Sequence, residues 1–350
     1  MSELQQSGTP IDLDVHHNSV SNFAPAILLM LFAPLLTEVL PGATRFGSIF
    51  VFPIEVTVWG GGALLIRDAV RRWKLGWFNM LLLALSLSVA EEFLIQQTSV
   101  APMVLRLKGV TYARFLGVNY VYLLWALIYE TVFVVFAPIY LVELIFPQKR
   151  HQVWMNKIGF IAVILFFFAG AFLAWYSWTQ IARPKVFQVP AYNPSVLKVL
   201  LASGTILVFM FFALGPWKNK LPKPMQTLTV PHNAVLGIVG ALWATILFGL
   251  VLLAFGQFPE FPPVIAIIAG FILVISSVYF VPRWTNSESW NSFSTYSLIF
   301  GTTVGAWAVG FIGFLGSDSR DLYFKIITNV VALVLMLLLF RRVRRHQHDH

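Results

Sequence analysis

The chain has no cysteine, so disulfides, thiolate nucleophiles, zinc–cysteine sites and iron–sulfur clusters are excluded. Charge is also scarce: 11% of residues are Asp, Glu, Lys or Arg, against about 25% in a soluble domain. That is too little to coat a water-facing surface. There are seven histidines, none within an apolar run. His16 and His17 precede the first run, His151 and His232 lie in connections, and His346, His348 and His350 end the chain. P-loop, dinucleotide-binding and paired-histidine zinc motifs are missing. Neither a metal site nor a cofactor is therefore expected.

What is present is apolar, 58% of 350 residues, enough for roughly ten membrane helices at about 20 residues each. The apolar runs fall at 23–40, 50–69, 77–97, 115–146, 158–181, 196–214, 233–255, 262–281, 295–315 and 322–340. Pro41–Gly42, Pro147, Pro184, Gly215–Pro216 and Pro262–Pro263 punctuate them. The runs are continuous rather than alternating, which excludes a β-barrel. The expected fold is all-α, a polytopic bundle of about ten spans whose main partner is the lipid bilayer. Four segments follow: a polar, loose tail (1–22), a four-helix module (23–157), a six-helix module (158–340) and a basic, His-containing tail (341–350).

The net charge of +9 does not indicate nucleic acid, because the basic residues cluster between apolar runs. Arg71, Arg72 and Lys74 follow the second run; Lys149, Arg150 and Lys157 follow the fourth. Lys218, Lys220 and Lys223 follow the sixth, and Arg341, Arg342, Arg344 and Arg345 follow the tenth. An even number of spans separates each cluster from the next, so all four share a side, the cytoplasmic one by the positive-inside rule. Both termini are then cytoplasmic.

The acids are distributed unevenly. Glu38, Glu55, Glu91, Glu92, Glu130 and Glu143 lie in or at the ends of the first four runs, with Asp68 beside Arg67, whereas the later runs hold no interior acid. A charge at bilayer centre costs at least about 2.5–3.5 kcal/mol and marks a functional site by default. Glu55, Glu91, Glu92 and Glu130, with Gln96, are the binding or proton-exchange candidates. Ser88, Glu92 and Gln96 recur every four residues, a polar stripe that Ser99 continues. Glu38 and Glu143, near helix ends, are expected to reach the interface, and Arg67–Asp68 to be a boundary charge pair. Glu55 has Thr57 as a nearby bonding partner.

Two backbone features stand out. Gly60, Gly61 and Gly62 lie at mid-helix, where they either admit a close neighbour or open an unwound segment. The 32-residue fourth run is too long for the hydrocarbon core, and Pro138 is the expected break, freeing the carbonyl of Val134. The Gly301–Gly305 spacing reads as a packing face.

The stretch A-E-E-F-L-I-Q-Q around Glu91–Glu92 resembles the first motif of the CAAX-prenyl-protease-like intramembrane proteases, a glutamate doublet followed, after three intervening residues, by arginine. Gln96 stands at the arginine position, and the family's later histidine motifs have no counterpart. That resemblance implies a glutamate activating water. F-P-I-E-V-T-V-W-G-G-G-A-L-L-I-R-D-A and A-P-I-Y-L-V-E-L-I-F-P look similar to uncharacterised multi-span bacterial membrane proteins, which implies a bacterial inner membrane and no particular activity.

Three functions remain open. One is a carrier or permease-like protein exchanging protons or a cation at intramembrane carboxylates, with a small solute as cargo. Another is an intramembrane hydrolase or transferase that uses Glu91–Glu92. The third is a non-catalytic assembly or sensor subunit.

Overall fold

The computed structural model describes residues 23–105, 108, 112–218 and 226–348. The tail 1–22 with His16 and His17, Lys220 and Lys223, and Asp349 and His350 lie outside the described residues. Among those described, the chain is almost wholly helical. Nine helices are long and apolar enough to cross a membrane: α2 (Phe46–Arg72), α3 (Trp77–Ile95), α4 (Tyr120–Ile145), α5 (Lys157–Val186), α6 (Val196–Leu214), α7 (Asn233–Ala254), α8 (Pro263–Thr285), α9 (Ser292–Phe314) and α10 (Ser319–His348). The first apolar run forms a shorter helix, α1 (Phe23–Val39), about 25 Å long against a core of about 30 Å. Among the described residues the chain thus has nine helices that could span a membrane and one shorter apolar companion.

Local chemistry sets the boundaries. Asn119, Asn156 and Asn291 cap α4, α5 and α9 by accepting backbone N–H groups of the first turn. Pro147 follows α4, and Gly215–Pro216 follows α6. The fourth run does not become helical at 115. Arg114–Phe115 (β1) pairs with Val118–Asn119 (β2) in a hairpin whose turn places Gly117 at φ +74°. Much of the excess length is removed there rather than at Pro138, and α4 continues unbroken through the proline. A π-helical stretch, Glu130–Phe136, precedes Pro138, and its wider turn lets the ring follow without ending the helix. At the other terminus α10 does not stop at 340. Arg341–Arg345 form its last turns, where cations suit the negative end of the helix dipole.

Two hydrophobic cores divide the bundle. The first is built by α1, α2, α3, α5 and α6 with one face of α4 (Val134, Val135, Ile139, Val142). The second packs α7, α8, α9 and α10 against the other face of α4 (Ala126, Tyr129, Phe133, Ala137, Leu141). In α3 and α4, 67% and 72% of the most apolar window is buried; in α5 and α6 the share is 11%. α3 and α4 are thus the most enclosed, α2 and α9 are each 50% buried, and α5, α6, α8 and α10 turn most of their apolar windows outward.

Gly60–Gly61–Gly62 serves close packing, and the helix does not unwind there. A side chain on Gly60 would collide with the Met30 backbone, and one on Gly62 would come within 2.8 Å of Leu87; Gly61 is in ordinary contact with Phe167. Gly301 and Gly305 meet the backbone of Gly237 and Ala241 on α7, as the spacing suggests.

Hydrogen bonds sort the connections into two ends. At one end Arg45 reaches Gly313 and Ser317, and Lys325, 1% exposed, donates to Leu40 O and Pro41 O at 2.7 and 3.0 Å. Asn119 joins Ala254 O there, and Arg183 and Lys198 bind Pro102 O and Gly117 O. At the opposite end Arg67 and Arg72 bind the 149–155 connection, and Asn79 binds Ala213 O and Lys218 O.

Candidate functional site

Each of the first four helices contains a π-helical turn, and each turn has a glutamate at or beside it. Glu38 lies in Leu35–Val39, Glu55 immediately precedes Val56–Gly60, Glu91 and Glu92 open Glu91–Ile95, and Glu130 opens Glu130–Phe136. Such turns sacrifice regular hydrogen bonding and occur mostly at functional sites. Among the described residues one further π-helical stretch, Tyr176–Val186, carries buried Arg183 instead.

The five carboxyl groups are linked as electrostatic neighbours, Glu55 through Glu38 alone. Glu38 faces Glu55 and Glu91, Glu91 faces Glu92, and Glu130 faces Glu38, Glu91 and Glu92. Glu55, Glu91, Glu92 and Glu130 are buried, Glu91 to 1% exposure; Glu38 is half-buried. No cation pairs with any of them among the described residues. The side chains of Glu92 and Glu130 lie close enough to hydrogen-bond to each other, which two carboxyl groups do only while one holds a proton. Glu92 also accepts the Ser99 N–H at 2.9 Å and its hydroxyl at 2.5 Å. Glu55 accepts from Thr44. Both oxygens of Glu91, one of Glu55 and one of Glu130 are buried without a hydrogen-bond partner.

Two tyrosines that the sequence analysis did not single out complete the cluster. Tyr122 lies near Thr98 and neighbours Glu92, Glu130 and Glu38. Tyr129 donates to Thr37 O beside Glu38 and Glu130. Their seven-residue spacing on α4, the second adjoining Glu130, was the available signal.

Several expectations change. Glu38 does not reach away to the interface but joins the other carboxyls. The stripe Ser88–Glu92–Gln96–Ser99 does not form, because the π turn shifts the register and α3 ends at Ile95. Ser88 bonds back to Ala84 O, while the chain turns at Gln97 (φ +62°) and returns Ser99 to Glu92. Gln96 donates its backbone N–H to Glu91 O, and its side chain is not among the partners of Glu92. Thr57 bonds to Ile54 O rather than to Glu55.

At the opposite end the acids are fully compensated. Glu143 is buried between Arg67 and Arg71, at 3.2 and 2.8 Å, rather than facing headgroups. Arg67 and Asp68 are not a pair, since adjacent helical positions diverge by about 100°. Arg67 lies over Trp154, 3.4 Å from the ring centre, and Asp68 binds Arg72 at 2.8 Å and the Trp154 N–H at 2.9 Å. In the solvated connection before α10, the backbone and side chain of Arg320 hold the Asp318 carboxyl below the usual range.

Chemically, the five-glutamate cluster is a set of acceptors short of protons and cations. Among the described residues no three histidine or carboxylate groups stand close enough to hold a metal ion. No family model, curated protein or solved structure matches the chain.

Proposed function

We propose that the chain is a proton-coupled carrier of a bacterial inner membrane, with Glu92 and Glu130 as the proton-exchanging pair and Glu91, Glu55 and Glu38 as its polar surroundings. The positive-inside rule then places both termini and the arginine end in the cytoplasm, and the carboxyl cluster in the outer half of the membrane. The observation that carries this reading is Glu91: a carboxyl group with both oxygens buried and unpartnered, set against like groups. Retaining it costs stability, and a proton-exchange site is the use that repays it. A membrane-embedded carboxyl pair binds and releases one proton as its surroundings open and close. The cargo is a small solute that moves with that proton.

The test is solute-dependent acidification of proteoliposomes containing an entrapped pH dye, screened over pools of small metabolites under an imposed pH gradient. A solute that moves protons through the unaltered protein should lose at least about tenfold of that flux in Glu92→Gln, as removal of an essential proton-transfer group does. Unchanged flux in Glu92→Gln retires the reading.

The Glu92–Glu130 hydrogen bond also favours a second reading, an intramembrane hydrolase. Two carboxyl groups sharing a proton can act as general acid and base, and the resemblance around Glu91–Glu92 points the same way. That reading requires turnover of a membrane-embedded peptide or ester by the unaltered protein, without proton flux.

A further inference from the structure

The arginine end holds a feature that the proton-exchange reading does not use. Arg67, Arg71, Gly76, Trp77, Met80 and Tyr140 line a cavity of about 70 Å³. A single water needs about 10–15 Å³ of such space, so several waters or one four-oxygen anion fit.

Its walls offer donors and lack acceptors. Arg71 spends Nε and Nη2 on Glu143, leaving Nη1 without a protein acceptor among the described residues. The indole Nε1 of Trp77 is buried with no hydrogen-bond partner. Tyr140 adds a hydroxyl, and Gly76 brings the N-terminus of α3, whose backbone N–H groups and dipole favour negative charge. Charge counting points the same way. Arg67, Arg71 and Arg72 interlock with two acids, Asp68 and Glu143, so the network is one negative charge short. Arg67 is saturated by Glu143 and the carbonyls of Gln152, Lys149 and Arg150. Arg72 binds Asp68 and Met155 O through Nη2, keeps a buried Nε without a partner, and does not line the cavity. Of the two arginines that line the cavity, Arg71 is the one with an unoccupied edge.

We propose that this cavity binds one phosphate group, held by the Arg71 guanidinium, the Trp77 indole N–H and the Tyr140 hydroxyl. An arginine with a free edge suits a tetrahedral oxyanion better than a point charge does, and the anion completes the charge balance of the network. The same chemistry is supplied by soluble phosphate or a phosphomonoester, and by the headgroup of an anionic lipid. The site is separate from the carboxyl cluster and stands whether or not the protein carries protons.

The test reads the contact directly. Protein labelled with nitrogen-15 at tryptophan, in phosphate-free maltoside micelles, is titrated with inorganic phosphate or with short-chain phosphatidylglycerol. The Trp77 indole resonance is identified as the one missing from Trp77→Phe. It should shift and saturate: with inorganic phosphate for a soluble ligand, with the lipid for a headgroup, with both for an unselective phosphate site. No shift with either probe overturns the proposal, and so does an equal shift with chloride. Arg71→Lys preserves charge opposite Glu143 but loses the fork, and should weaken binding about tenfold. Trp77→Phe keeps a six-membered aromatic ring and removes the N–H donor with its five-membered ring, and calorimetry should show binding about fivefold weaker. Unaltered affinity in both variants also overturns it; should Arg71→Lys fail to fold, Trp77→Phe decides alone.

Discussion

The enclosed half of this bundle buries acids at both ends and treats them in opposite ways. At the arginine end every buried acid has a cation: Glu143 has Arg67 and Arg71, and Asp68 has Arg72. At the other end five glutamates face one another and two tyrosines, without a cation among the described residues. The first arrangement ties helices and connections together. The second has little structural justification, since apolar residues of similar size would pack there at lower cost. The difference separates acids kept for architecture from acids kept for chemistry.

That contrast can be broken by substitution. The largest effect is expected for Glu143→Gln, which strands the guanidinium of Arg67, itself 1% exposed; unfolding in detergent should show a loss of about 3 kcal/mol. A loss below about 1 kcal/mol would mean that the ion pair is not what holds this end. Thr44→Val removes the hydroxyl that donates to Glu55 and should cost about 1 kcal/mol by the same assay. The smallest effect belongs to Glu91→Gln. Both oxygens of Glu91 lack a partner, so a neutral side chain of equal size loses no bond, and stability should change by less than about 0.5 kcal/mol. If Glu91→Gln destabilised as strongly as Glu143→Gln, the two ends would be alike and the distinction would fail.

Much of the architecture was legible because lipid imposes a simple rule: long apolar runs become helices and polar punctuation ends them. The limits of α6 and the packing role of Gly301–Gly305 follow directly from sequence. Where the fourth helix begins was not legible, because the Arg114–Asn119 hairpin depends on Gly117 adopting a positive φ, and the flanking residues are apolar enough to read as helix. Glu55, Glu91, Glu92 and Glu130 stood out by the cost of placing acids in lipid. Their companions did not. Glu38 looked like a helix end, and Tyr122 and Tyr129 carry no charge to make their burial in lipid stand out. Gln96 was included only because a regular period of 3.6 was assumed through a turn that is π-helical. Arg67–Glu143 joins residues 76 positions apart, beyond any local pattern.

The contact of Lys325 with Leu40 and Pro41 spans 285 and 284 positions of sequence, and it bears on biosynthesis. When this hydrophobic segment leaves the ribosome, the carbonyls that end it lack the Lys325 donor, which is made 285 and 284 positions later. The loop carrying Thr44 therefore settles long after it is translated. A nascent chain interrupted before position 325 would lack that closure, so this loop takes its final form only once Lys325 has been made.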